Sequence, residues 1–222
     1  MGKTVQLQAG DGHRLDAYVA EPAGKSRGAV VVMQEIFGVN SHIRSITDGF
    51  AADGYLAIAP ALFDRLQRNY ESGYSQAEIQ AGMGFKDRTT NEQALADAQA
   101  AIDYAKAAGK VCIVGYCWGG TIAWLGASRG SNIDAAVSYY GGGVPSLQDE
   151  QPLVATMLHF GESDQSIPLE KAKAVATAHP EVTTHYYPAG HGFNCDQRGS
   201  YHQPSAELAR SRTVEFLLRH LG

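Results

Sequence analysis

Long apolar runs, basic clusters and paired cysteines are all missing from this chain, and each absence removes a class of function. No stretch approaches the roughly 18 apolar residues that a membrane span requires, and residues 1–6 contain no apolar signal core. The expectation is a cytoplasmic protein with no membrane partner. Acidic residues outnumber basic ones, 23 to 18, for a formal net charge of −5, so nucleic acid has no electrostatic footprint to meet. The 3 cysteines are scattered; they form neither a disulfide framework nor a zinc-ligand spacing, and no His-Glu-x-x-His segment occurs. Reduced thiols and no metal or other cofactor are therefore expected. Nor is there a repeat, a low-complexity tract or a Ser/Gly linker to divide the sequence. One domain spanning 1–222 follows, with 44% hydrophobic residues to build its core and a small molecule as its natural partner.

What is present is an ordered alternation of strand and helix patterns. Residues 4–8 and 14–19 alternate in polarity around Ala9-Gly10-Asp11-Gly12, the signature of an antiparallel hairpin. The runs at 29–33, 55–59, 111–114 and 135–139 are short and continuously apolar, as strands covered on both faces are, and 154–160 and 183–187 complete the series. Helical periods separate them at 43–52, 91–107, 121–128, 169–178 and 205–221. This order predicts an α/β fold: a mostly parallel central sheet with helices on both faces and an antiparallel N-terminal hairpin. Residues 62–84 break the rhythm. They suit equally a cover over the ligand-binding end of the sheet and a surface loop with a short helix.

The strand at 111–114 runs into Gly115-Tyr116-Cys117-Trp118-Gly119-Gly120, a G-x-S-x-G nucleophile elbow with cysteine in the serine position. Glycines flank the central residue because the turn strains its backbone and brings neighbouring chain too close for a Cβ. The elbow places Cys117 at a helix N-terminus, where the dipole favours a thiolate by about 0.3–1 kcal/mol. That is under one pKa unit, so the thiol needs a base. Cys112, inside the strand, reads as a small buried hydrophobe, and Cys195 is left open.

On such a fold the acid and the histidine follow the nucleophile in that order. Asp164, in Gly161-Glu162-Ser163-Asp164, closes an apolar strand and precedes a helix, and it is preferred over Glu162 and Asp149. His191 stands between Gly190 and Gly192 just beyond the last strand, where a chain can present an imidazole unobstructed. His159 and His202 are its alternatives, while His179 and His220 read as solvated. His191 would take the Cys117 proton and Asp164 would fix its tautomer. Oxyanion donors are expected from the Trp118 N–H and from Ile36 or Phe37 in the loop after residue 33. One such donor is worth about 2.7–4 kcal/mol, more than the helix dipole supplies.

Four segments, Gln34-Glu35-Ile36-Phe37-Gly38, Gly115 to Gly120, Gly161 to Asp164 and Ala189-Gly190-His191-Gly192-Phe193, together resemble the dienelactone hydrolase (carboxymethylenebutenolidase) family of the α/β-hydrolase superfamily. The resemblance spans nearly the whole chain and extends to Asp196, Arg198, Ser200-Tyr201 and a C-terminal helix carrying Ala206, Ala209 and Arg212-Thr213. It implies the α/β-hydrolase fold, a monomer, and cofactor-independent opening of a lactone or small ester through an acyl-cysteine on a Cys-His-Asp triad. It also implies that Glu35 contacts the resting thiol and helps deprotonate it. Phe37, Tyr116, Phe193 and Arg198 are the candidate substrate contacts. One departure stands out: where the family commonly has His-Ser-Phe-Ala-Arg, whose arginine holds the dienelactone carboxylate, this chain has His191-Gly192-Phe193-Asn194-Cys195. Arg198, Arg88, Arg65 or Arg68 would have to replace it, although each reads first as a solvated charge. A related carboxylesterase and a non-catalytic thiol sensor or binding protein are the competing functions on the same fold.

Overall fold

The computed structural model describes residues 2–222. A single sheet holds all its strands, in the order β1-β2-β4-β3-β5-β6-β7-β8. β1 (Lys3–Gln8) and β2 (Arg14–Ala20) form the expected hairpin, with Leu7 opposite Leu15, and β2 runs antiparallel to β4 (Leu56–Pro60). From β4 onward every pairing is parallel: β3 (Ala29–Met33), β5 (Val111–Tyr116), β6 (Ala135–Tyr139), β7 (Ala155–Gly161) and β8 (Thr183–Tyr187).

β3 shows why its sequence does not alternate: all five of its residues are buried, because both faces of the sheet are covered. Val30 and Val32 face one apolar cluster with Ile43 and Phe50 of α1 (Ser41–Ala52) and Phe216 of α6 (Gln203–His220). Val31 and Met33 face the other with Ala98 and Ile102 of α3 (Asn91–Ala105) and Ile122 of α4 (Trp118–Arg129). α5 (Leu169–Ala178) follows β7.

Residues 62–84 are neither a bare loop nor a short helix. A 3-10 turn at Leu62–Arg65 leads to α2 (Gln76–Arg88), 13 residues long and opened by a capping box in which Ser75 and Glu78 satisfy each other's backbone N–H groups. Its glycines and polar residues hide the helical period, and the cap rather than the pattern marks its start. α2 lies against the loop after β3 so closely that a Cβ on Gly82 would come within 2.2 Å of the Ile36 carbonyl oxygen. The loop is held from the other side as well, since Gly38, at φ +79°, bridges to Glu71 where a Cβ would meet the Tyr70 carbonyl.

No helix is long and apolar enough to cross a membrane among the described residues.

Candidate active site

The carboxyl ends of β3, β5, β7 and β8 deliver the site residues to one edge of the sheet. Cys117 sits between β5 and α4 at φ 54° and ψ −117°, the strained backbone an elbow imposes. Gly115 and Gly119 make that turn possible: a Cβ on the first would lie 1.8 Å from the Gly119 carbonyl oxygen, and one on the second 2.3 Å from that of Met33. Trp118 opens α4, so its N–H has no partner four residues back and is free for an oxyanion.

His191 Nε2 lies 3.1 Å from Cys117 Sγ, and His191 Nδ1 lies 2.8 Å from Asp164 Oδ2. Asp164 is itself fixed, because its Oδ1 accepts from the backbone N–H groups of Ser166 at 2.7 Å and Ile167 at 3.1 Å. Burial opposes an imidazolium here, but the Cys117 charge and the Asp164 hydrogen bond outweigh it and push His191 up to about 10. This chain of groups can move a proton from thiol to imidazole and hold the ion pair that results. Cys117, Trp118, Ile36, Phe37, His191 and Arg198 all line one cavity of about 530 Å³.

The sequence profile of the dienelactone hydrolase family matches residues 15–221. The chain belongs to the dienelactone hydrolase family. It is 34% identical to a carboxymethylenebutenolidase of Pseudomonas putida over 225 residues, covering 96% of this chain and 94% of that protein. A Synechocystis sp. protein whose provisional name is carboxymethylenebutenolidase is 38% identical, with 94% and 93% covered. The crystal structure of a Klebsiella pneumoniae protein, provisionally named a dienelactone hydrolase, superposes with a TM-score of 0.85 at 28% identity, over 99% of this chain and 100% of that one. The fold is the α/β-hydrolase fold that these proteins share.

Within this dienelactone hydrolase framework, several candidate residues stand elsewhere than expected. Cys117 Sγ contacts His191, whereas Glu35 Oε1 accepts from Arg198 Nη1 at 3.1 Å. Glu35 therefore satisfies its charge with a guanidinium rather than with the thiol. Arg198 is not a solvated charge: its side chain is 16% exposed and lies over the rings of Phe37 and Tyr74. Gly192 leaves it room, since a Cβ there would fall 2.5 Å from its Nη1. Arg65 is held by Asp97 and Asp11, Arg68 reaches Asp16 and Asp64, and Arg88 rides the Phe85 ring. Cys195 is fully buried and does not line the cavity.

Two of the proposed substrate contacts are core residues. Strand alternation turns Tyr116 to the face of Val114, where it stacks on Tyr139 at 4.6 Å. Phe193 packs between Tyr140 and Tyr187 with no exposed surface. Of the alternative histidines, His159 is buried between the Tyr187 hydroxyl and Thr213, and His202 bonds Ser205. His179, expected in solvent, is buried with Nε2 at 2.6 Å from the Gln148 carbonyl oxygen.

Sequence reading missed the far wall of the cavity: Ile79, Met83 and Lys86 of α2, with Thr121 and Leu147. Only the capping box of α2 could have signalled that helix. Tyr140 was also missed; at φ 39° it directs its ring edge-on to His191, with centroids 5.2 Å apart. Nothing in the local sequence marks that role.

Proposed function

We propose that this dienelactone hydrolase relative hydrolyses uncharged lactones or small esters through an acyl-cysteine on Cys117. The observation that carries the reading is His191 poised between the Cys117 thiol at 3.1 Å and the Asp164 carboxylate at 2.8 Å, at the edge of an open cavity.

Cys117 Sγ attacks the acyl carbon, and its proton resides on His191 Nε2. The oxyanion is met by the N–H groups of Trp118 and Ile36. Collapse expels the alkoxide, which takes the proton from His191. Water then adds to the thioester with His191 as base, and the thiol is restored as the acid departs. Asp164 keeps Nδ1 protonated throughout. Glu35, held by Arg198 and out of contact with the resting thiol, would serve Cys117 as a base only after that ion pair rearranges.

The chemistry of the cavity argues for an uncharged substrate. Ile36, Phe37, Ile79, Met83 and Leu147 supply its apolar wall. The Arg198 charge is already matched by Glu35, that of Lys86 by Asp87 at 3.2 Å, and that of His191 by Asp164. A dienelactone carboxylate would meet a guanidinium whose charge Glu35 already compensates, whereas a neutral ester needs no such charge. We place the enzyme in the cytoplasm as a one-domain monomer, in keeping with its free thiols.

The test is kcat/KM on a dienelactone and on a short-chain nitrophenyl ester, with Cys117→Ala as control. Cys117-dependent turnover favouring the ester is expected. Turnover favouring dienelactone would overturn the uncharged-substrate reading. Activity surviving in Cys117→Ala would overturn the nucleophile, and no turnover of any ester with reversible oxidation of Cys117 would favour a thiol sensor.

A further inference from the structure

Behind Glu35 lies a second group of chemistry-bearing side chains that the hydrolytic reading does not use. Glu35, His42 and Cys195 are each buried, and one ligand atom from each lies within 4.8 Å of the other two. They come from the loop after β3, from the first turn of α1 and from the loop after β8, so no local spacing in the sequence announces them.

Two of these groups are unsatisfied. Glu35 Oε2 and His42 Nε2 are buried with no hydrogen-bond partner, although Glu35 Oε1 is held by Arg198. A buried polar atom without a partner costs about 1–3 kcal/mol, and a charged one more, so two together ask for a ligand that would satisfy both. The other nitrogen of His42, Nδ1, faces Asp196 Oδ1 at 3.4 Å. A carboxylate on one imidazole nitrogen, with the other buried and left without a partner, is how metal-binding histidines are oriented.

We propose that Glu35, His42 and Cys195 form a site for a thiophilic divalent cation of the zinc class. Thiolate, imidazole and carboxylate are its preferred donors. Ligands about 2.0–2.3 Å from one ion stand roughly 3.3–3.8 Å apart at the tetrahedral angle. The 4.8 Å envelope closes to that with small side-chain movements. Cys195 gives up its proton to solvent as the sulfur–metal bond forms, so binding releases a proton. The Tyr74 hydroxyl, which accepts from Asn40 Nδ2 at 3.1 Å, stands near the sulfur. His42 and Asp196 also line a second cavity of about 400 Å³, which does not include Cys117. Occupancy would engage Glu35; its effect on turnover rests on the role proposed above, whereas binding does not.

The experiment uses the full chain carrying Cys117→Ser, stripped with chelator, so that the elbow thiol cannot serve as a ligand. Cobalt(II) is added and the absorption spectrum followed, with zinc competition by calorimetry in two buffers of different ionisation enthalpy. One equivalent is expected, with a sulfur-to-cobalt charge-transfer band, tetrahedral ligand-field bands and proton release. Adding Cys195→Ser should remove the charge-transfer band, and Asp196→Asn should weaken binding by about tenfold or more. Circular dichroism and melting of each variant establish that it is folded. No stoichiometric binding in the Cys117→Ser protein would overturn the proposal. So would a charge-transfer band that survives Cys195→Ser, since Cys112 would then be the ligand.

Discussion

Arg198 Nη1 donates to Glu35 Oε1 at 3.1 Å, joining residues 163 positions apart behind the wall of the cavity that Arg198 lines. The pair decides two things: it neutralises the cation that a substrate carboxylate would otherwise find, and it steadies a carboxylate that has no exposed surface.

Arg198→Met should therefore act on stability as well as on turnover. Removing one partner of a buried pair costs about 3–5 kcal/mol because it strands the other charge. Arg198 keeps some contact with solvent, so the lower end of that range applies. The urea midpoint should fall accordingly, while Arg198→Lys, which keeps the charge but loses the planar guanidinium over Phe37, should lie between. An unchanged midpoint would mean that Glu35 is not held by this contact.

Asp164→Asn tests whether the carboxylate orients the imidazole. An amide in its place can present a donor to His191 Nδ1 and so favour the wrong tautomer, with a loss in kcat of about 10⁴-fold by analogy with serine triads. KM should move little, because Asp164 is absent from the cavity lining. Equal losses in kcat and in substrate affinity would point to a collapsed site instead.

Cys117→Ala should lower the titration point of His191. Burial already pulls it down, and the Cys117 charge is the foremost of the influences raising it. Following the His191 ring protons by NMR across the pH range gives the answer directly. A titration point unmoved by the substitution would assign the upward shift to Asp164 alone.

Most of the fold, and the three residues that the structure brings together as Cys117, His191 and Asp164, were legible in the sequence because their signals are local. A continuous apolar run betrays a parallel strand, and glycines around Cys117 and His191 mark turns whose close approaches the structure shows. Tyr116 faces the core because side chains alternate along β5, and Phe193 because the turn after β8 folds it inward; nearness in sequence to Cys117 or His191 shows neither. Arg198 could not be paired from sequence, since its partner is 163 residues away. The α2 wall was obscured because Gly82 and Gly84, poor helix formers, stand inside it.

His159 should make the protein acid-sensitive. It is fully buried, and burial, with lesser contributions from His185 and Arg212, depresses its pKa well below the ordinary value. Its neutral ring is held by Tyr187 and Thr213. The unfolded chain therefore takes up this proton near pH 6.5 while the folded chain does not, so stability is full above that pH and falls below it. One such group gives a slope approaching 1.4 kcal/mol per pH unit, to be roughly matched by chemical denaturation between about pH 6 and pH 4.5. His42 and His185 are depressed in the same direction, so His159→Gln should flatten part of the slope.

Gly82→Ala isolates the contact between α2 and the oxyanion loop. The added Cβ would lie 2.2 Å from the Ile36 carbonyl oxygen, a backbone atom that cannot swing aside as a flexible side chain would. Either α2 lifts or the Ile36 peptide rotates. If the Ile36–Phe37 peptide rotates, the change at Ile36 pulls the preceding peptide, which carries the Ile36 N–H, out of line with the oxyanion, and one donor lost costs about 10²–10³ in kcat. If the helix lifts, the wall formed by Ile79 and Met83 retreats and KM rises for apolar esters while kcat holds. A loss of kcat would support the proposed role of Ile36, whereas a rise in KM alone would place the movement in α2, the loop being pinned on its other side at Gly38. Alanine is the better helix former by about 0.8–1 kcal/mol, so a melting temperature that rises with unchanged kcat and KM would show that the contact relaxes freely and that α2 does not set the geometry of the oxyanion loop.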